Sequence, residues 1–166
     1  MQKSEKTLYN LGYLNGWLTN LARINDKTNH AYHFSLTMHE SKNGFIKEKL
    51  YPIFDPICKS FELKKIETPR EYLISLLTET WFFEFQEKEY NTVFLIDKQN
   101  NFSLSNSFWK QEWIKEFVDL LLLTVSSDIV YQVKIGETKI FYACSSLDII
   151  FANSQELYHL HLSVSD

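Results

Sequence analysis

The apolar residues of this chain repeat with two different periods, and the order of those periods restricts the folds open to it. Leu8, Leu11, Leu14, Leu18 and Leu21 recur at three- and four-residue steps, with Trp17 and Ile24 on the same side. That spacing is the stripe of an amphipathic helix. The last quarter alternates residue by residue instead. Segments 129–135 and 139–144 flank Gly136-Glu137-Thr138, and segments 148–152 and 157–164 flank Asn153-Ser154-Gln155-Glu156. Two strand pairs are expected there. Helices come first and strands accumulate late, without the regular strand–helix alternation that builds a parallel sheet. The chain is therefore expected to be α+β, with a largely antiparallel sheet of C-terminal strands packed with N-terminal and central helices.

The middle of the chain fits that scheme. Residues 30–38 alternate, with Tyr32, Phe34, Leu36 and Met38 on one side, and read as a strand. Residues 45–61 have helical spacing interrupted by Pro52 and Pro56, which predicts two short pieces. Thr68-Pro69-Arg70-Glu71 reads as a helix start: Thr at the cap, Pro where no donor is needed, Glu reaching back. That helix is expected to run through Leu73, Leu76 and Leu77 toward Trp81. Residues 92–96 and 102–104 are expected to be short strands. Ser107 is placed as the cap of a helix over 108–123, which buries Trp109, Trp113, Phe117, Leu120 and Leu121.

At 166 residues the whole chain, 1–166, is expected to form one domain. Gly and Pro are scarce, four and three, which leaves no glycine-rich phosphate loop. Cys58 and Cys144 show no paired spacing and are read as reduced thiols. No apolar leader precedes the first helix and no apolar run is long enough for a membrane span, so a cytoplasmic protein is expected. Charge is unevenly divided: residues 1–70 carry +4 and residues 71–166 carry −8. An acidic half disfavours direct nucleic-acid binding and favours a basic partner.

Candidate chemistry is sparse. His159 and His161 stand two apart on a strand and so share a face. A metal there needs a third ligand, for which His33 and His39 are candidates; the plainer reading is a pair of hydrogen-bonded histidines. No cofactor and no metal are expected. Neither cysteine lies in a nucleophile motif, and no Ser elbow occurs. Two groups of carboxylates stand out, Glu84, Glu87 and Glu89 after Trp81, and Glu112, Glu116 and Asp119 along one helix ridge. Each is read as a solvated face or as a contact to a basic partner.

The run from Phe141 to Ala152, FYACSSLDIIFA, followed by Tyr158-His159-Leu160-His161-Leu162-Ser163-Val164-Ser165-Asp166, resembles the tail of small immunity proteins from bacterial polymorphic-toxin and contact-dependent growth inhibition systems. The resemblance covers roughly a quarter of the chain. It implies a cytosolic inhibitor that occludes the active site of a cognate toxin, often a basic nuclease domain. It brings no catalytic residues with it. The expected function is therefore toxin binding without catalysis, through Glu84, Glu87, Glu89, Glu112, Glu116 and Asp119, with Trp81 as an aromatic anchor. The alternatives are a small metal-assisted hydrolase around His159 and His161, and a homo-oligomeric scaffold built on the aromatic residues.

Overall fold

A computed structural model of the chain describes residues 4–25, 31–40, 44–82 and 108–165. In chain order these form α1 (Glu5–Asn25), β1 (Ala31–Glu40), α2 (Ile46–Phe54), β2 (Phe61–Lys65), α3 (Pro69–Leu76) with a π-helical turn over Leu77–Trp81, α4 (Phe108–Val125), β3 (Ile129–Ile135), β4 (Ser145–Ala152) and β5 (Glu156–Ser165). The five strands make one sheet in the order β1-β5-β4-β3-β2, antiparallel at every pairing. The expected α+β class, with its late strands and earlier helices, is what the fold shows. No described helix is long and apolar enough to cross a membrane.

The two-residue period of the strands gives the sheet two different faces. One carries Phe34 and Leu36 of β1, Leu160 and Leu162 of β5, Ile149 and Phe151 of β4 and Val130 of β3. Against it pack Leu14, Leu18 and Leu21 of α1, Leu73 of α3, and Ile114, Phe117, Val118 and Leu121 of α4. The stripe expected on α1 points into this layer through Leu14, Leu18 and Leu21, with Leu11 and Trp17 at its margin; Leu8, expected on the same side, is 54% exposed. On α4 the buried row runs through Ile114 and Val118 as well as Phe117 and Leu121, while Trp113 and Leu120 lie at its margin. The opposite face is covered by α2 only in part. There Leu50 and Phe54 sit on Val133, Ile150, Ala152 and Leu157.

Three local expectations are corrected. The segment after β3 does not return beside it at 139–144; β3 lies between β2 and β4, with Ile129 opposite Ala152 and Val133 opposite Asp148 on the β4 side. The chain from 136 to 144 crosses to the end of α2 instead. Gly136 donates to the Ser60 carbonyl at 2.9 Å, Lys139 donates its backbone N–H to Ile57, and Lys139 also pairs with Asp55 at 2.8 Å. Gly136 is required by this contact, because an added Cβ would lie 2.9 Å from the Ser60 carbonyl oxygen and closer still to its hydroxyl. No second helical piece forms after Pro56: residues 55–60 make a turn and a bridge from Cys58 to Thr138, and a strand begins at Phe61, which pairs with Ile135. Thr68 stands at the cap of α3 with Pro69 after it, but its hydroxyl makes no capping bond. Glu48 supplies such a bond at α2, where its carboxylate accepts the Phe45 N–H at 3.1 Å. The strands expected at 92–96 and 102–104, the Ser107 cap, and Glu84, Glu87 and Glu89 lie outside the described residues.

At the sheet edge, α1 closes β1. Asn15 accepts the Leu36 N–H and donates to the Leu36 carbonyl, both at 2.9 Å. One carboxamide thus takes the place of a neighbouring strand at that residue, which blunts an otherwise open edge.

Candidate functional site

The half of the sheet that α2 leaves uncovered is polar. Register places His33, Ser35, Thr37 and His39 of β1 beside Ser163, His161, His159 and Leu157 of β5. It also places Asp148 of β4 opposite His161, and Ile150 opposite His159. Four of the chain's five histidines therefore lie on one sheet face, as two-residue spacing on two adjacent strands demands.

Asp148 is the centre of this face. Its Oδ1 is 2.8 Å from His159 Nε2, 2.8 Å from His161 Nδ1 and 2.9 Å from the Tyr142 hydroxyl. Tyr142 arrives from the segment that crosses to α2, and its hydroxyl also lies 3.0 Å from His161 Nδ1. On the far side of the ring, His161 Nε2 is 2.9 Å from Ser163 Oγ, which donates to the His33 carbonyl at 3.4 Å. The His159 ring meets Phe54 edge-on, with centroids 5.4 Å apart. The Asp148 side chain is 1% exposed and that of His161 14%.

Two opposed effects act on Asp148. Burial favours its neutral form, and the hydrogen bonds from His159 and His161 favour the charged one. The hydrogen bonds win and hold the carboxyl at about 2, so it is ionised at neutral pH. Burial, and then the adjacent Asp148 charge, push the Tyr142 phenol far above its ordinary value, so it keeps its proton. Burial and the nearby His159 lower His39. The arrangement is an anion held by two imidazoles and a phenol, with an outer serine fixing one ring.

The sequence reading found His159 and His161 but not their partner. The ligand atoms of Asp148, His159 and His161 lie within 4.8 Å of one another. His33 approaches His161 ring to ring at 5.7 Å, and His39 bonds to Thr37. Asp148 precedes His159 by eleven residues, a separation that no metal or catalytic motif uses; the register of the β4–β5 hairpin brings them together. Cys58 is buried and Cys144 exposed, both as free thiols; burial raises the Cys58 thiol above its ordinary value.

The expected partner-binding residues are scattered. Trp81 is corrected as an anchor: it is 4% exposed, packed edge-on against Phe34 in the main core. The apolar stripe of α3 continues through the π turn, which carries it inward. Asp119 pairs bidentately with Arg70 at 2.7 and 3.0 Å, and Glu112 with Lys115 at 3.1 Å. Glu116 is exposed. The ridge is thus less negative than its sequence, since two of its three carboxylates face a cation.

A surface that the sequence reading did not single out lies on the outer side of α1. Leu8 is 54% exposed, Tyr9 72% and Tyr13 46%, with the exposed Gly12 before Tyr13 and Gly16 one turn after it. No charged residue occurs between Lys6 and Arg23. Tyr9 stacks on Tyr13 at 6.4 Å, Tyr13 meets Trp17 at 5.4 Å, and Trp17 meets Trp113 of α4 at 5.1 Å. The ring row runs from solvent into the core. A cavity of about 460 Å³ opens elsewhere, at α2, lined by Lys47, Tyr51, Asp55, Cys58, Lys59 and Phe61 among others; no residue of the Asp148 cluster borders it.

No family model, no curated protein and no solved structure matches this chain.

Proposed function

We propose that this chain is an immunity-type inhibitor: it binds a cognate toxin domain, a basic nuclease, in the cytoplasm and occludes that domain's active site without catalysing a reaction. The observation that carries the reading is the outer face of α1. A surface helix ordinarily turns charged residues to water; this one turns Leu8, Tyr9 and Tyr13 outward around two glycines. Protein interfaces are enriched in Tyr and Trp and depleted of charge at their centres. Stacking of Tyr9 on Tyr13 holds both rings in place before a partner arrives, which lowers the ordering cost of binding.

The carboxylates then have a different place from the one expected. Glu116 lies one turn beyond Trp113 on α4, and Trp113 touches Trp17. Acidic groups beside an aromatic centre form a charged rim, which speeds encounter with a basic surface. The resemblance of the last two strands to immunity-protein tails supports the same reading, as does the net −8 of residues 71–166.

The deciding experiment is to coexpress the chain with the product of the reading frame immediately upstream, which the proposal requires to end in a toxin domain. The expected result is protection of the host cell and a stable complex on gel filtration. A host that dies, with two separate peaks on the column, would refute the proposal.

A further inference from the structure

We propose that Asp148, His159 and His161 bind one first-row transition-metal cation, Zn²⁺ by preference, with the Tyr142 oxygen at the fourth corner. Ligand atoms that each stand about 2.0–2.1 Å from a shared ion are about 2.9 Å apart at right angles and about 3.4 Å apart in a tetrahedron. Here Asp148 Oδ1 is 2.8 Å from both ring nitrogens, and the Tyr142 hydroxyl is 2.9 Å from Asp148 and 3.0 Å from His161. Small outward movements of side chains whose strands are already in register make the coordination shell.

The hydrogen bonds themselves are crowded. Three polar groups converge on the one oxygen Oδ1, which offers two lone pairs. A cation at their centre removes the competition, because each group then gives it a lone pair. Two imidazoles and one carboxylate suit zinc, iron, cobalt and nickel better than calcium or magnesium. The outer shell is built as well. His161 Nε2 is 2.9 Å from Ser163 Oγ, which passes its own hydrogen to the His33 carbonyl; in the tautomer that gives the Nε2 hydrogen to Ser163, the Nδ1 lone pair is free to be a ligand. Phe54 stacks edge-on against the His159 ring and fixes it. The partly exposed side of His161 gives the ion its way in.

The role is structural. The cavity at α2 does not reach these residues, and the ion would tie the Tyr142 segment to β4 and β5. The inference stands apart from the toxin reading, and its test contains no toxin.

The full chain, stripped with a chelator, is titrated with Zn²⁺ and with Co²⁺ as a spectroscopic probe. One equivalent of either ion, visible Co²⁺ bands of a nitrogen–oxygen site and a rise in unfolding temperature with Zn²⁺ are expected. His161→Ala should weaken affinity about 100-fold or more, with unchanged circular dichroism. His33→Ala combined with His39→Ala, on the same face but outside the cluster, should leave affinity unaltered. Should His161→Ala fail to fold, imidazole NMR of the unaltered chain decides: one equivalent of Zn²⁺ must shift His159 and His161 together. Failure of the unaltered chain to bind a stoichiometric ion, binding that survives loss of His161, or shifts confined to His33 and His39 would each overturn the assignment.

Discussion

Asp148 shows how much a single buried carboxylate depends on its neighbours. Burial opposes its charge, and the two imidazoles outweigh burial. The folded state therefore prefers the ionised form more strongly than the unfolded chain does. A depressed carboxyl adds stability that is complete above the unfolded value, near 3.8, and is lost as pH falls through about 2. The shift corresponds to about 2 kcal/mol. Asp148→Asn keeps the shape and removes the charge. It should lower the urea midpoint at about pH 6 and cost progressively less as the pH is taken toward about 2. A gap between variant and parent that stays constant over that range would mean the charge contributes nothing. Ser126 is a second residue with a local strain: it follows α4 at φ 45°, a conformation that glycine adopts freely. Its N–H closes the helix on the Leu122 carbonyl at 3.0 Å, so Ser126→Gly should stabilise the fold by up to about 1 kcal/mol, read from the same urea curves.

Elements carry the next level of consequence, and α1 is the clearest case. Among the described residues nothing requires its two glycines: a Cβ added at Gly12 or Gly16 meets no atom within 4 Å. Alanine at either position should stabilise the isolated chain by about 1 kcal/mol. A surface that gives up this much helix stability for no internal contact suits a partner that approaches the backbone closely. Gly12→Ala with Gly16→Ala should therefore raise the urea midpoint while weakening the toxin complex. Asn15, one residue away from that face, has the opposite character. Asn15→Ala strands the Leu36 N–H and carbonyl at the sheet edge and should cost about 1–3 kcal/mol, measured as a lower thermal midpoint. What was legible at this scale follows from period. The leucine stripe of α1, the alternation of β1 and the β4–β5 hairpin each have a period that survives in one sequence. The 136–144 crossing has none, because it is fixed by Ser60, Ile57 and Asp55, which are distant in the chain. Asp148 was illegible as a partner of the histidines for the same reason: register, not spacing along one strand, joins them.

Taken whole, the molecule separates a polar histidine face from an aromatic helix face, and the two make different demands on a partner. The toxin reading assigns the α1 face the centre of the contact and the α4 carboxylates its rim. These roles have distinct kinetic signatures. Aromatic anchors that are desolvated on binding hold the complex together, so Tyr9→Ala and Tyr13→Ala should raise the dissociation rate, each by about 2 kcal/mol, or roughly 30-fold. Both side chains project into solvent, and the fold should tolerate their loss. Rim charges act before contact, so Glu112→Lys with Glu116→Lys should slow association, and more so at low salt, with little change in dissociation. Asp119→Asn tests the remaining member of the ridge; its carboxylate is already engaged by Arg70, so it should alter association least. Surface plasmon resonance at two ionic strengths separates these outcomes. If the tyrosine variants dissociate at the parental rate while the glutamate variants lose the complex outright, the centre of the interface is the acidic ridge of α4, and the aromatic face of α1 has another use.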